Sequence, residues 1–341
     1  MDDGGSKLAQ QRGKVTIRTV AEHAGVSVAA VSKVLRNAYG VSDALRQNVM
    51  ESIETLGYRP SAAARGMRGR TFTVGILLVE IGNPFLPEVV EGINDILAPS
   101  EFKSLMGMGR SHMPVETSLI EQMIDFHMDG LILVAPRMSG KVLDRYARQI
   151  PIVVLGHHEA TAAHFDTINS DDQRGAMVAT EALVAAGHRD IVMLSQAYAP
   201  DSSHAVAGQR EKGYHMAMSR AGLTGRVVAM PYDGASVPDH LRRFLEQEPR
   251  PRAVFCWSDL FAVDLVNIAR SMGLRVPEDI AIIGYDNNPL AALPLVDLSS
   301  MDQSGRRLGA LAAETLLSRM DGRTAPHHIL LEPTLVRRSS G

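Results

Sequence analysis

Across 341 residues the chain has one cysteine, Cys256, so no internal disulfide can form. A reducing, cytoplasmic setting fits that count. No apolar run approaches the roughly 20 residues that a membrane-spanning helix needs. The opening MDDGGSKLAQQRGK is polar and holds no apolar stretch of the secretory-signal type, so residues 1–14 are expected to be a flexible tail. Catalytic patterns are missing too. There is no GxSxG, and no serine, histidine and acid cluster stands out. The GMG at 107–109 lacks the third glycine of a dinucleotide fingerprint and runs into Pro114. The neighbouring pairs His157-His158 and His327-His328 cannot point one way on a helix or a strand, which disfavours a metal site. The expectation is a protein that is not an enzyme and carries no cofactor or metal.

The composition that is present, 45% hydrophobic and 21% charged, suits a globular protein with a sizeable core. The length favours two or three structural units. A formal net charge of -3 conceals an uneven distribution. Residues 1–70 hold 11 Lys or Arg against 6 Asp or Glu, and the remainder holds 24 against 32. A basic head on an acidic body points to nucleic acid for the head.

In the head, Thr16 is placed to cap a helix whose apolar face is Ile17, Val20, Ala21 and Ala24, with Gly25 as its stop. Ser27 is the next cap, ahead of Val28, Val31, Val34 and Leu35. So short a connection forces a steep crossing, the layout of a helix-turn-helix. Ser42 opens a third helix with Leu45, Val49, Ile53 and Leu56 on one stripe, and Gly57 ends it. The competing reading is a three-helix bundle with no DNA role. Against it stands RPSAAARGMRGR at 59–70, four arginines around a short alanine-rich stretch. A helix that short is marginal alone in water, so the segment suits an arm that folds on a polyanion; a plain interdomain linker is the alternative.

TIRTVAEHAGVSVAAVSKVLR followed by VSDALRQNVMESIETLGYRPSAAARGMRG closely resembles the head of LacI/GalR-type transcriptional regulators, and the resemblance runs in order from residue 15 to about 338. It implies that the second helix enters the DNA major groove, with base-reading roles at Val28, Ala29 and Lys33 and phosphate contacts around Thr16, Ser27, Ser32 and Arg36. It also implies a hinge helix that wedges Met67 into the minor groove, with Ala64 and Arg65 beside it. The family usually has leucine at the wedge and rarely glycine before it. Gly66 here should loosen the hinge helix by about 1 kcal/mol relative to alanine, while methionine is still able to wedge between base steps.

From Thr73 onward, short apolar runs (TVGILLV, GLILVAP, PIVVLG, DIVMLS, AVFCWS, DIAIIGYD) alternate with helical patterns. Such alternation predicts βαβ units and parallel sheets buried on both faces. Two series predict two doubly wound lobes. The resemblance implies a body like a type I periplasmic binding protein. The expected layout is a helix-turn-helix domain over 15–58, a hinge over 59–71 and an effector-binding domain over 72–338. Within the last, one lobe is expected from about 72–170 and 300–325, the other from about 171–299 and 326–338, with crossings near 170, 300 and 325. A ligand would lie between the lobes at the carboxyl ends of the strands.

Residues at those ends are Asn83 and Phe85, then Gly156, His157 and His158, then Trp257 and Ser258, then Asp286, with Arg210 near the start of a helix. A pyranose needs aromatic faces against its C–H groups and planar charged side chains for neighbouring hydroxyls. Phe85 and Trp257 offer the first, Arg210 and Asp286 the second. The resemblance places Arg210, Ser258 and Asp286 on effector positions. Gly156 stands where some members carry an aspartate, which leaves the ligand's identity open. Each residue also has a structural alternative: core packing for the aromatics, helix capping for Asp286, a surface ion pair for Arg210. Asp171 or Asp172 is expected to cap the helix that begins there. The combined expectation is a cytoplasmic repressor that binds a pseudopalindromic operator as a homodimer and is controlled by a small molecule, a sugar or sugar derivative. No apolar heptad tail follows LVRRSS, which favours dimer over tetramer. Competing readings are a sugar-binding carrier without a DNA role, a nucleobase-responsive regulator and an α/β metabolic enzyme.

Overall fold

The computed structural model describes residues 15–36, 38–59, 69–197, 206–231 and 236–341. They divide into two compact units that part between Thr71 and Phe72.

The first unit is a three-helix head: α1 (Ile17–Ala24), α2 (Val28–Leu35) and α3 (Asp43–Leu56). The expected caps form. Thr16 accepts from the Thr19 backbone while Thr19 Oγ1 accepts from the Thr16 N–H. Ser27 accepts from Ala30 N at 3.1 Å and Ser42 from Leu45 N at 3.3 Å. Gly25 and Gly57 end their helices at φ +66° and +61°, a left-handed conformation that costs glycine nothing. Val20, Ala24, Val31 and Val49 are buried, and Leu35, Ile53 and Leu56 pack against them. Asn48 Nδ2 donates to the Ala24 carbonyl at 2.9 Å, and His23 Nδ1 lies 3.0 Å from Ser52 Oγ, so α3 is pinned beside the end of α1.

The second unit contains two six-stranded sheets. The first lobe is built from β1 (Thr73–Leu78), α4 (Phe85–Leu97), β2 (Lys103–Met108), α5 (Met113–Asp125), β3 (Gly130–Val134), α6 (Gly140–Ala147), β4 (Ile152–Leu155) and β5 (Asp166–Ser170). The second follows with α7 (Asp172–Ala185), β6 (Ile191–Gln196), α8 (Val206–Arg220), β7 (Arg226–Met230), α9 (Val237–Leu245), β8 (Ala253–Cys256), α10 (Asp259–Ser271), β9 (Ala281–Asp286) and β10 (Ser299–Asp302). The chain then returns through α11 (Gly305–Met320) and ends with β11 (His328–Leu331) and β12 (Thr334–Val336). The sheet orders are β11-β5-β4-β3-β1-β2 and β12-β10-β9-β8-β6-β7. Every pairing is parallel except β12 against β10. The near-continuous apolar strands follow from this arrangement, since helices cover both faces.

One boundary differs from the sequence reading. Residues 328–331 do not join the second lobe: β11 pairs with β5 of the first sheet, so the last crossing falls at Glu332–Pro333 rather than near 325. The second crossing falls just past Asp302, because β10 pairs with β9. Apolar periodicity marks a strand but not the sheet it joins, and an edge strand has only one neighbour to fix that choice.

The returning helix α11 is fastened to α4 by direct backbone contact. A Cβ on Gly309 would sit 1.9 Å from the Val89 carbonyl oxygen, and one on Gly92 equally close to that of Arg306. Neither carbonyl can yield without shifting a helix. Gly309→Ala is therefore expected to lower stability by about 1–3 kcal/mol, read as a lower denaturant midpoint with unchanged slope. An unchanged midpoint would show that the two helices separate freely.

Candidate functional site

The carboxyl ends of both sheets face one cavity of about 440 Å³, within the roughly 300–1,000 Å³ typical of small-molecule sites. Asn83, Phe85, His157, Arg210, Trp257 and Asp286 all line it. Ser258 does not: it occupies the N-cap position of α10, buried, and its Oγ has no hydrogen-bond partner. Trp257 Nε1 is likewise buried without a partner, while its ring borders the cavity.

At the centre is Arg210 of α8, 3% exposed. Its Nε donates to Asp172 Oδ1 at 2.7 Å, its Nη1 donates to the Trp257 carbonyl, and Nη1 also lies 3.9 Å from Asp286 Oδ1. The guanidinium lies 3.6 Å from the centre of the Tyr285 ring and 5.4 Å from that of Trp257. Burial alone would lower the Arg210 pKa and raise that of Asp172, but their attraction outweighs it: Arg210 is raised and Asp172 lowered. A buried charge is tolerable only when paired and hydrogen-bonded in this way.

Asp286 ends β9 at φ +113°, a conformation that is strained for a residue with a Cβ. Its carboxylate accepts from Asn83 Nδ2 at 3.0 Å and from Gln303 Nε2 at 2.6 Å. Asn83 comes from the first lobe and Asp286 from the second, so this bond spans the cleft. Burial raises the Asp286 carboxyl, Arg210 and its two amide donors pull it back, and it settles at about 6.

The two histidines diverge, as adjacent residues should. His157 backbone N–H donates to Asn169 Oδ1, and its Nε2 lies 3.0 Å from Glu159 Oε2. His158 Nε2 reaches Asp172 Oδ2 at 2.7 Å, a second link from the first lobe to the charged centre. The sequence offers Asp171 or Asp172 as the cap of α7. The cap is Asp171, which accepts from Arg174 N at 2.9 Å. Asp172, along with Gln303, was missed as a site residue. Nothing local signals either one: Arg210 lies 38 residues from its partner Asp172, and Gln303 sits on a crossing that only the fold brings to the cleft.

Behind the floor is Asp259, fully buried, accepting from Ser300 Oγ at 2.6 Å and Asn288 N at 2.9 Å. Burial, and then the neighbouring Asp286 charge, push its carboxyl up to about 8.

On the head, Ala29, Lys33 and Arg36 fall on one exposed face of α2, at the spacing that brings helix residues into line. Val28 instead packs partly into the head's core. The hinge residues Ala64, Arg65, Gly66 and Met67 lie outside the described residues.

A three-helix head of this kind in one chain with two periplasmic-type lobes defines a ligand-controlled DNA-binding regulator. The family model for bacterial regulatory proteins of the lacI family matches residues 16–61, and the periplasmic binding protein-like domain model matches residues 180–341. Catabolite control protein A of Priestia megaterium is 31% identical over 328 residues, spanning 94% of this chain and 96% of the relative. Among solved structures, the transcriptional regulator CelR in complex with cellobiose is 28% identical at a TM-score of 0.72, covering 96% of this chain and all of that one. The Lac repressor dimer, bound to operator and the anti-inducer ONPF, shares the fold at a TM-score of 0.81 with 22% identity, covering 96% of this chain and 99% of that one. The chain belongs to the LacI family and is a DNA-binding transcriptional regulator of the repressor type with an effector domain. No helix among the described residues is long and apolar enough to cross a membrane.

The Asp259 carboxyl makes a pH prediction. Its native pKa lies above the ordinary 3.8, so the native state holds this proton more tightly than the unfolded chain. Stability from this group is complete below about pH 4 and is lost as pH rises to about 8. Asp259→Asn, whose amide can accept from Asn288 N and donate to Ser300 Oγ, should flatten that decline by about 1.4 kcal/mol or more. Parallel stability profiles for parent and variant from pH 4 to 8 would rule this out.

Proposed function

We propose that the protein is a cytoplasmic, homodimeric repressor whose effector is a sugar or sugar derivative held between the two lobes, with operator affinity set by lobe closure. The observation that carries the effector reading is the cavity that brings Phe85 and Trp257 together with Arg210, Asp286 and Asn83. Aromatic rings suit the C–H faces of a pyranose, and the charged and amide groups suit its hydroxyls. His157, fixed by Asn169 and Glu159, is a further hydroxyl partner on the first-lobe wall. CelR, the relative solved with cellobiose, supports a carbohydrate. Ser258 lies outside the cavity lining, so no ligand contact is assigned to it.

For the head, Lys33 and Ala29 are assigned to base edges, with a smaller share for half-buried Val28. Methyl groups suit the thymine C5-methyl, and Lys33 is the α2 side chain able to donate to a guanine edge. Thr16, Ser27, Ser32 and Arg36 are assigned to phosphates, and Ala64, Arg65 and Met67 to the minor groove. With so few base-edge donors, DNA shape carries much of the specificity. A dimer is supported by β2, an edge strand of the first sheet that presents Leu105, Met106 and Met108 at 54%, 61% and 42% exposure. Exposed apolar edges of this kind need a cover, and a second copy gives the two heads that a pseudopalindrome requires.

Two measurements check this reading. Lys33→Ala should relax specificity at one base pair per half-site; an even loss of affinity over all sequences would make Lys33 a phosphate contact. In a thermal-shift screen of sugars, sugar phosphates and nucleobases, a sugar at 100 times its dissociation constant should add about 2.7 kcal/mol of stability. Stabilisation by nucleobases alone would replace the carbohydrate reading with a nucleobase-responsive one.

A further inference from the structure

Arg210 is the cation that an acidic effector would seek, yet most of its donors are engaged. A guanidinium grips a carboxylate or phosphate through two parallel N–H groups. These are either Nε with one terminal nitrogen along its side, or the two terminal nitrogens at its end. The side pair is taken, because Nε donates to Asp172 Oδ1 at 2.7 Å. The end pair is hindered: Nη1 donates to the Trp257 carbonyl and faces Asp286 Oδ1 at 3.9 Å. Nη2 is the guanidinium nitrogen left without a hydrogen-bond partner among the described residues. One face of the group is covered as well, by the Tyr285 ring at 3.6 Å. Arg210 can therefore donate to a ligand oxygen, but it cannot clamp an anion.

Asp172 is the residue that creates this condition. It lies buried in the first turn of α7, and its other oxygen, Oδ2, is 2.7 Å from His158 Nε2. A carboxylate is thus already held between a guanidinium and an imidazole. The attraction of Arg210 and the His158 bond keep Asp172 below the usual carboxylate range despite its burial. Arg137, the other cation of the lining, interacts electrostatically with Glu80 and Glu116. An acidic ligand at Arg210 would be a third anion around one buried cation, where like charges repel strongly.

We infer that Asp172 is a built-in acid ligand that sets the charge class of the effector: it fills the anion position of Arg210, so the cavity takes an uncharged sugar and refuses acidic ones. This rests on the carbohydrate reading above and narrows it. Asp172 acts on the effector through Arg210 and is a positioning residue of the site.

The test has two arms, both on the full-length protein. In the first, Asp172→Ala removes a carboxylate the size of formate. Sodium formate should raise the melting temperature of this variant saturably, above its value in sodium chloride of equal concentration, and should not do so for the parent. A folded alanine variant that formate does not stabilise would show a carboxylate with no anion position to fill, and overturns the inference. In the second arm, isothermal titration calorimetry compares glucose with glucuronate and galactose with galacturonate. The parent should bind the accepted neutral sugar at least ~10-fold tighter than its uronate, and Asp172→Asn, equal in size and uncharged, should narrow the gap to below ~3-fold. This arm decides if the alanine variant does not fold. A uronate bound by the parent as tightly as its neutral sugar, or a gap unchanged in the asparagine variant, overturns the inference and leaves a carbohydrate effector standing. If no sugar binds and a nucleobase does, the carbohydrate reading falls, and the formate arm alone decides the role of Asp172.

Discussion

The effector domain is organised around one buried guanidinium. Arg210 cannot be dehydrated on its own, so the fold must bring it carboxylates, a carbonyl and aromatic faces, and these come from three separate places in the chain. Asp172 begins α7, Trp257 follows β8, and Tyr285 and Asp286 end β9. Burial holds Asp286 up at about 6 against the pull of Arg210, and burial together with the Asp286 charge holds Asp259 at about 8. Removing the cation would leave buried Asp172 with His158 alone beside its carboxylate, a loss far greater than the worth of a surface ion pair.

The same network joins the lobes. His158 reaches Asp172 and Asn83 reaches Asp286, each from the first lobe. A ligand with hydroxyl groups can replace or extend these bonds, and whatever it does to them changes the relative free energy of the lobes' arrangements. This is how a small molecule can bias a large element: it need only bind one arrangement better than another. Asn83 is well suited to this role because its Oδ1 also accepts from Phe85 N, so the amide is oriented before anything binds.

Much of this was legible in the sequence, for specific physical reasons. Short-range rules fix the caps at Thr16, Ser27 and Ser42 and the stops at Gly25 and Gly57. Those rules, with helical periodicity, delimit the head. Continuous apolar runs between helices betray buried parallel strands, and the ends of such strands name Asn83, Phe85, His157, Trp257 and Asp286 in the cavity. The illegible part is long-range. Asp172 reads locally as a second capping acid, and only the docking of α8 against α7 makes it the partner of Arg210. Gln303 has no signal apart from its place on a crossing. The β11 strand carries an apolar pattern compatible with either sheet, and its pairing with β5 is decided by tertiary position.

The central claim is that occupancy of the cleft and grip on the operator are one linked equilibrium. Linkage requires that the factor by which a bound effector changes the operator dissociation constant equal the factor by which operator changes the effector dissociation constant. The direct test measures both for the intact protein at one salt concentration, since operator affinity without a stated salt has no meaning. The account predicts two equal factors, both different from one, whether the ligand releases the operator or secures it. An operator dissociation constant unchanged by a saturating effector would contradict it.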